Sequence, residues 1–302
     1  MKSLLFFIFS LVLSVFVIVP IHGQTEGVSL KSWLTLGLGV ELLEDLDLSV
    51  GRQYGLEIEP IAPSFFQDNL SLSYRINRTF GVQAGVTNTQ VYLSGGGKKQ
   101  KLRYYGGINL NQRSGIWRIA HGLRFEHHTA AETRYSSRIL YSLTIRPKST
   151  WISKDWRLTP FADFDLYYNL GGNPISQYDE RGEKVGKMAP YGFHRARFKL
   201  GVSAKPWRNF KLTLYGMYQR EFNTPHAIRH FHQINVENPN SGNVSRAFSN
   251  YFVVGLSGKI YLRNLFAKSK DRRTGAVKDD WDDTESNSSS PTTVRDGLLT
   301  GH

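Results

Sequence analysis

From Leu34 to Leu42 every second residue is aliphatic. Leu34, Leu36, Leu38, Val40 and Leu42 share one parity, and Thr35, Gly37, Gly39 and Glu41 share the other. A period of two marks a strand with one face toward an apolar medium and one toward a polar medium. The pattern recurs: Leu46, Leu48 and Val50 oppose Asp45, Asp47 and Ser49, and Leu70, Leu72, Tyr74 and Ile76 oppose Asn69, Ser71, Ser73 and Arg75. Further runs are read at 80–90, 102–111, 116–126, 134–146, 157–168, 194–205, 210–222 and 250–262. Each is close to the roughly 9–11 residues that a tilted strand needs to cross hydrocarbon.

The connectors alternate in length. Short ones are read at Leu43-Glu44, Asn77-Arg78, Gln112-Arg113-Ser114 and Pro206-Trp207-Arg208-Asn209, and longer ones at 52–66, 91–101, 169–192 and 223–248. Short turns on one rim and long loops on the other are the hairpin arrangement of outer-membrane barrels. The fold expected is all-β, a single antiparallel transmembrane β-barrel of about 10–12 strands. The runs number eleven, whereas bacterial single-chain barrels have even strand numbers. A twelfth strand is therefore sought at 24–31 or around His232 to Val236, unless two runs form one bent strand. Trp33, Tyr104, Tyr105, Trp117, Trp151, Trp156, Tyr167, Tyr168, Trp207, Tyr251 and Tyr261 fall near run ends and are expected in interfacial girdles.

The two ends read differently. Lys2, the apolar run Leu4 to Val19 and Pro20-Ile21-His22-Gly23 have the order of a signal peptide, placed at 1–23. The barrel is assigned to 24–266. Residues 267–302 mix bases with acids and then run into serines, which reads as a disordered polar tail.

Composition narrows the chemistry. The chain has no cysteine, which removes disulfides, thiolate metal sites, thiol nucleophiles and a lipoprotein cleavage point. A mean hydropathy of -0.35 is far from that of a helical membrane protein and suits strands that show lipid only alternate residues. The formal charge of +13 is scattered along exported strands, so nucleic acid is not the expected partner. An anionic glycolipid surface or a small anionic solute fits better. Outer-membrane lipid is the main partner expected. Gly258-Lys259-Ile260-Tyr261 partly resembles the terminal signal read by barrel-assembly machinery, although the tail follows it.

The face opposite lipid is charged. Alternation assigns Glu41, Arg75, Arg103, Arg118, Arg124, Glu126, Arg138, Arg146, Asp163, Asp165, Arg195, Arg197, Lys199 and Arg220 to the lumen. An Arg or Lys facing the bilayer midplane costs about 2–4 kcal/mol, which favours the inward placement. Two readings follow: a packed ion-pair network in a closed barrel, which the interspersed acids and bases favour, or a narrow anion-preferring channel. Catalytic signals are weak. His127-His128, the His230-x-His232 spacing and His226 lack a companion acid cluster, and no metal site is assigned. Asp163 and Asp165 share a face, but neighbouring arginines would hold both ionised. No motif fixes a nucleophile or a cofactor. An enzyme acting on lipid or peptide at the rim, and a surface-binding protein using the long loops, are the alternatives.

Several stretches carry a family likeness: Ser32-Trp33 at the first strand, His121-Gly-Leu-Arg124-Phe-Glu126, Arg134-Tyr-Ser-Ser-Arg138-Ile-Leu-Tyr141, Pro160-Phe161 leading to Asp165-Leu-Tyr-Tyr168, and Tyr218-Gln-Arg-Glu221-Phe222. Over about 30–262 the chain resembles an uncharacterised family of Bacteroidota outer-membrane barrels bearing a domain of unknown function. The resemblance implies that fold and that location. It implies no activity.

Overall fold

Among the described residues there are thirteen strands, and the eleven that arise from the alternating runs close into one barrel. The computed structural model describes residues 28–93, 97–129, 135–148, 157–178, 181, 183–189, 191–223, 234–238, 241–242, 244 and 248–262. The barrel strands begin with β1 (Val28–Leu43), β2 (Leu46–Glu57), β3 (Ala62–Arg75), β4 (Phe80–Tyr92), β5 (Lys98–Ser114) and β6 (Trp117–His128). They continue with β7 (Ser137–Pro147), β8 (Thr159–Leu170), β11 (Gly192–Trp207), β12 (Phe210–Glu221) and β13 (Asn250–Leu262). A separate hairpin of β9 (Ile175–Tyr178) and β10 (Lys184–Met188) stands in the β8–β11 connection.

The odd count has a geometric consequence. In an up-and-down meander the first and eleventh strands run the same way, so the barrel can close only through a parallel pair. That pair is β1 with β13, in unbroken register from Val28↔Asn250 to Val40↔Leu262. The expectation of an antiparallel barrel holds for every other seam and fails at this one. The residues proposed for a twelfth strand do not supply one among the described residues: Val28–Lys31 belong to β1, and Glu237 makes only an isolated bridge to Val244. The proposed signal peptide and tail lie outside the described residues, as do Trp151, Trp156, His226, His230 and His232.

One rim carries the turns at 44–45, 76–79, 115–116 and 208–209. Asp45 and Gly115 take left-handed dihedrals in the two-residue turns, as Asp and Gly can. Asn77 Oδ1 accepts from the amides of Thr79 and Phe80, both at 2.8 Å, and so folds the turn at 76–79. The 148–158 connection is this rim's long exception. The opposite rim carries the connections between β6 and β7, β8 and β11, and β12 and β13. Two of the loops expected there shrink, because β2 runs on to Glu57, β3 starts at Ala62, and β4 and β5 reach Tyr92 and Lys98. The outward face loses its aliphatic rhythm at Arg52 and Asp68, but the alternation of burial does not stop: Gln53 and Gln67 remain inward and buried.

Burial is inverted relative to a soluble barrel. Leu36, Leu72, Ile108, Phe125, Phe198 and Leu214 are exposed on the outward face. Inside lie Trp33, Phe65, Tyr215, Met217, Tyr251 and Val253, packed as one cluster with Phe161. Trp33, Tyr105, Tyr167 and Tyr251 are thus lumen filling rather than girdle, because their parity is that of the charged residues. Arg220 is the reverse correction. It is exposed and in phase with Leu212, Leu214 and Tyr218 on the outward face of β12.

Inward glycines make room for this filling. Gly55, Gly85, Gly201 and Gly255 stand directly across from Phe65, Tyr105, Phe161 and Tyr215, and each aromatic ring lies where a Cβ would be. The filling is uneven along the axis. Inward side chains toward the long-loop rim are buried. Those toward the short-turn rim, such as Ser49, Ser71, Ser142 and Thr213, are partly exposed.

Candidate functional site

The buried half of the lumen is assembled from strands that each contribute one or two charged residues at inward parity. Register then decides which meet. Glu126 on β6 stands opposite Arg138 on β7 and Tyr105 on β5. Its carboxylate accepts from Arg138 Nε and pairs with Arg124, while Arg103 Nη1 lies 3.8 Å away. Arg138 Nη1 donates to the Tyr135 hydroxyl at 2.6 Å, and its guanidinium lies over the rings of Tyr135 and Tyr167. Arg124 stacks on Tyr105, with 4.6 Å between guanidinium carbon and ring centroid. Three cations thus surround one carboxylate, and aromatic faces take up part of the excess positive charge.

A second knot joins β8, β11, β12 and β13. Arg197 donates from Nε to Gln219 Oε1 at 2.8 Å, from Nη1 to the Tyr167 hydroxyl at 3.1 Å and from Nη2 to the Tyr251 hydroxyl at 3.0 Å. The Tyr251 hydroxyl in turn donates to Gln219 Oε1 at 2.8 Å. Arg195 holds the Glu221 carboxylate through Nη2 at 2.6 Å, and the other Glu221 oxygen accepts from the Ser249 amide at 2.8 Å. Lys199 pairs with Asp163 at 2.9 Å and lies over Tyr215. Asp165 is buried at the β8–β11 seam opposite Arg197.

Toward the long-loop rim, Lys31 donates to Glu57 at 2.6 Å, and Ser64 donates to the same oxygen at 2.9 Å. Between β3, β4 and β5 neutral side chains also bond across the seams. Thr89 donates to Gln67, and Thr87 and Tyr105 donate to Asn69, each at 3.0 Å. His194 is fully buried, with Nδ1 3.2 Å from the Phe222 carbonyl and Nε2 3.0 Å from the Tyr191 carbonyl. Only a doubly protonated ring can donate to both oxygens at once. Asn223 bonds the backbone of Ile234 and Asn235, and Ile234, Val236, Ile175 and Gln177 are buried, so connecting segments also pack at this rim.

Ten of the fourteen residues assigned to the lumen from sequence separate into two groups. Arg124, Glu126, Arg138, Asp163, Asp165, Arg195 and Arg197 lie in the buried half. Glu41, Arg75 and Arg118 lie toward the short-turn rim, where Arg75 Nε donates to Asp45 of the β1–β2 turn at 2.5 Å. Sequence reasoning missed Lys31, Glu57, Gln219 and Glu221. The signal was present, since Gln219 and Glu221 are in phase with Tyr215 and out of phase with Leu214.

Glu126, Glu221 and Asp163 each pair with a cation, and Asp165 stands in register with Arg197. His127 points outward to Ser137 at 3.0 Å, and His128 packs edge-on against Tyr135 inside. No curated protein matches the chain. Residues 30–230, which run from within β1 to beyond the end of β12, match the family model described as a protein of unknown function, DUF2490; β13, the strand that closes the barrel, lies beyond the match. With more than half of its length matched, the chain belongs to the DUF2490 family.

Proposed function

We propose that this protein is an outer-membrane barrel with a closed lumen, working as a structural or binding element rather than an open pore. The observation that carries this is the inverted burial. Leu36 is 54% exposed while Arg138 is 0% exposed. A large aliphatic side chain left in water forfeits about 1.5–3 kcal/mol, and many are left out here on every barrel wall. Lipid around the outward face removes that penalty. The alternation of outward apolar and inward polar residues is also that expected of a spanning barrel.

The closed lumen follows from the side chains that fill it. Arg138, Arg197, Tyr167, Tyr251 and Met217 leave little free section in the long-loop half. By the usual hairpin economy the long-loop rim faces outward and the short turns face the periplasm. Leu4 to Val19 would direct export, barrel-assembly machinery would insert the strands, and a Gram-negative envelope, of Bacteroidota type by the resemblance, would be the setting. Refolded protein should show heat-modifiable gel mobility and remain in the outer-membrane fraction after carbonate washing. In planar bilayers it should insert without conducting. Coincident boiled and unboiled bands would overturn the barrel's membrane role, and steady unit conductance would overturn the closed lumen.

A further inference from the structure

We propose that the lumen half beneath the short-turn rim is a binding site for a small phosphate-bearing, hydroxyl-rich solute, centred on Arg113, Arg118 and Arg146. It deepens the closed-barrel reading, which it needs only for the blind inner end of the site. The three arginines are direct lateral partners: Arg113 of β5 is opposite Arg118 of β6, and Arg118 is opposite Arg146 of β7. All have the inward parity of Arg103, Glu126 and Arg138. Like charges placed directly across a ladder are destabilising. This stretch of wall holds three in a row.

The buried half shows what the same chain does when charge serves packing. There opposite charges meet across seams, as in Glu126 with Arg138 and Arg195 with Glu221. Near the short-turn rim Arg75 pairs with Asp45 of the turn, but three sets of register partners carry like charge. Arg faces Arg on β5–β7, Lys211 faces Lys259 on β12–β13, and Glu41 faces Asp47 on β1–β2. Like charges side by side create a field inside the lumen where interleaving would cancel it. Arginine forks aligned on one wall suit phosphate oxygens, which they can grip bidentately.

The rows beneath the arginines define the rest of the ligand. One step inward along the strands lie Asn111, Ala120 and Thr144; the next row is Asn109, Gly122 and Ser142. Asn109 Oδ1 and Ser142 Cβ lie 3.3 and 3.6 Å from where a Gly122 Cβ would stand, so both side chains converge over that glycine. Below them Arg124 and Leu140 begin the filled half. The wall thus offers a cationic mouth, then amide and hydroxyl groups, then a floor. Arg113 is exposed, Arg118, Arg146, Asn111, Thr144 and Ser142 are partly exposed and Asn109 is buried, so water reaches the arginine end of this wall. A phosphorylated sugar or polyol matches that order, with its phosphate at the arginines and its hydroxyls on Asn and Ser.

The test is calorimetric titration of refolded protein in detergent at low salt with glucose 6-phosphate, with glucose and with a short-chain phosphatidylglycerol. Saturable binding of glucose 6-phosphate with none of glucose is expected. Binding of the lipid alone would overturn the free-solute assignment. The double variant Arg118→Gln/Arg146→Gln should bind at least about 10-fold more weakly, because two charge-assisted contacts are lost. Arg220→Gln removes an outward charge and should change affinity by less than about 2-fold, since screening limits its reach. Should the double variant fail to fold, Arg118→Lys keeps the charge without the fork, and a loss of several-fold is expected. No saturable binding by the native chain, an equal loss with Arg220→Gln, or an unaltered affinity in Arg118→Lys would each sink the proposal. Conductance does not enter these readouts, so an open lumen and an unoccupied site give different failures.

Discussion

Arg138 donates through Nε to the Glu126 carboxylate across the β6–β7 seam, and neither side chain reaches solvent. Among the described residues Glu126 is the acid that Arg103, Arg124 and Arg138 share. Its removal leaves three neighbouring cations without their shared counter-charge. Breaking a buried pair from one side costs about 3–5 kcal/mol, and here the loss should fall at the upper end for Glu126→Gln. Arg138→Ala should cost less than Glu126→Gln, because Arg124 still pairs with Glu126. Urea midpoints of the refolded barrel, read by gel mobility, check the order. Equal stability of both variants with the native chain would show that the ion pairs do not hold the filled half together.

How much of this could be read from the sequence depends on which face of a strand carries the signal. The outward face was legible wherever its side chains are aliphatic, as from Leu34 to Leu42 and from Phe252 to Leu262. It fails where Arg52 and Asp68 interrupt the rhythm, and the paired ends of β2 and β3 lie where a loop at 52–66 is expected. The inward face was legible in its charges but not in its aromatics. Trp33, Tyr167 and Tyr251 look like girdle residues by position, and only strict parity sends them inside. Pairing partners were not legible. Nothing local to β1 or β13 states that they meet, or that they meet in parallel; the odd strand count compels it. The division of Glu41, Arg75 and Arg118 from the other lumen charges needed the axial stagger of the strands, which alternation does not contain.

The parallel seam can be tested by cross-linking, since the chain has no native cysteine. Ser32 and Val254 are register partners on the outward face of β1 and β13. Ser32→Cys with Val254→Cys should form an intramolecular disulfide under mild oxidation and resist heat-induced shifts in mobility. Ser32→Cys with Ile260→Cys is displaced along the same seam and should remain reduced. An antiparallel closure through an additional strand would leave both pairs unlinked.

Gly255 gives a test of the glycine–aromatic pairs. The Tyr215 ring occupies the position of its missing Cβ, and Tyr215 belongs to the buried cluster with Trp33 and Met217. Gly255→Ala therefore forces the ring out of a packed site, at about 1–3 kcal/mol by the usual cost of overpacking. Tyr215→Ala has its own cavity cost, but in its background Gly255→Ala should be nearly neutral. The double-mutant cycle on urea midpoints isolates the steric term. Additive losses would place the ring elsewhere.

His194 ties β11 to two carbonyls, that of Tyr191 in the β8–β11 connection and that of Phe222 just after β12. Replacing it with Ala removes both donors at a fully buried position and leaves two carbonyls unsatisfied. The β8–β11 and β12–β13 connections should then be cut faster by a nonspecific protease while the barrel strands stay protected. Unchanged cutting rates would mean that other contacts, such as Asn223 with Ile234, suffice to hold the long-loop rim.

The sharpest test of the medium around the barrel is the outward pair Arg52–Asp68. Arg52 Nη2 donates to Asp68 Oδ2 at 2.9 Å, and the guanidinium lies over Phe66 at 5.6 Å. Both residues stand among exposed apolar side chains, next to Val50, Tyr54 and Leu70. In water such a pair contributes little, and changing either partner does little. In lipid an isolated charge is costly, while a neutral apolar pair is favourable. Asp68→Leu should therefore lower the unfolding midpoint in lipid vesicles, and adding Arg52→Leu should restore it or raise it above the native value. The same series in a soluble setting should stay flat. A flat series in vesicles, with both single and double variants at the native midpoint, would place this wall of the barrel in water and remove the main support for a membrane-spanning fold.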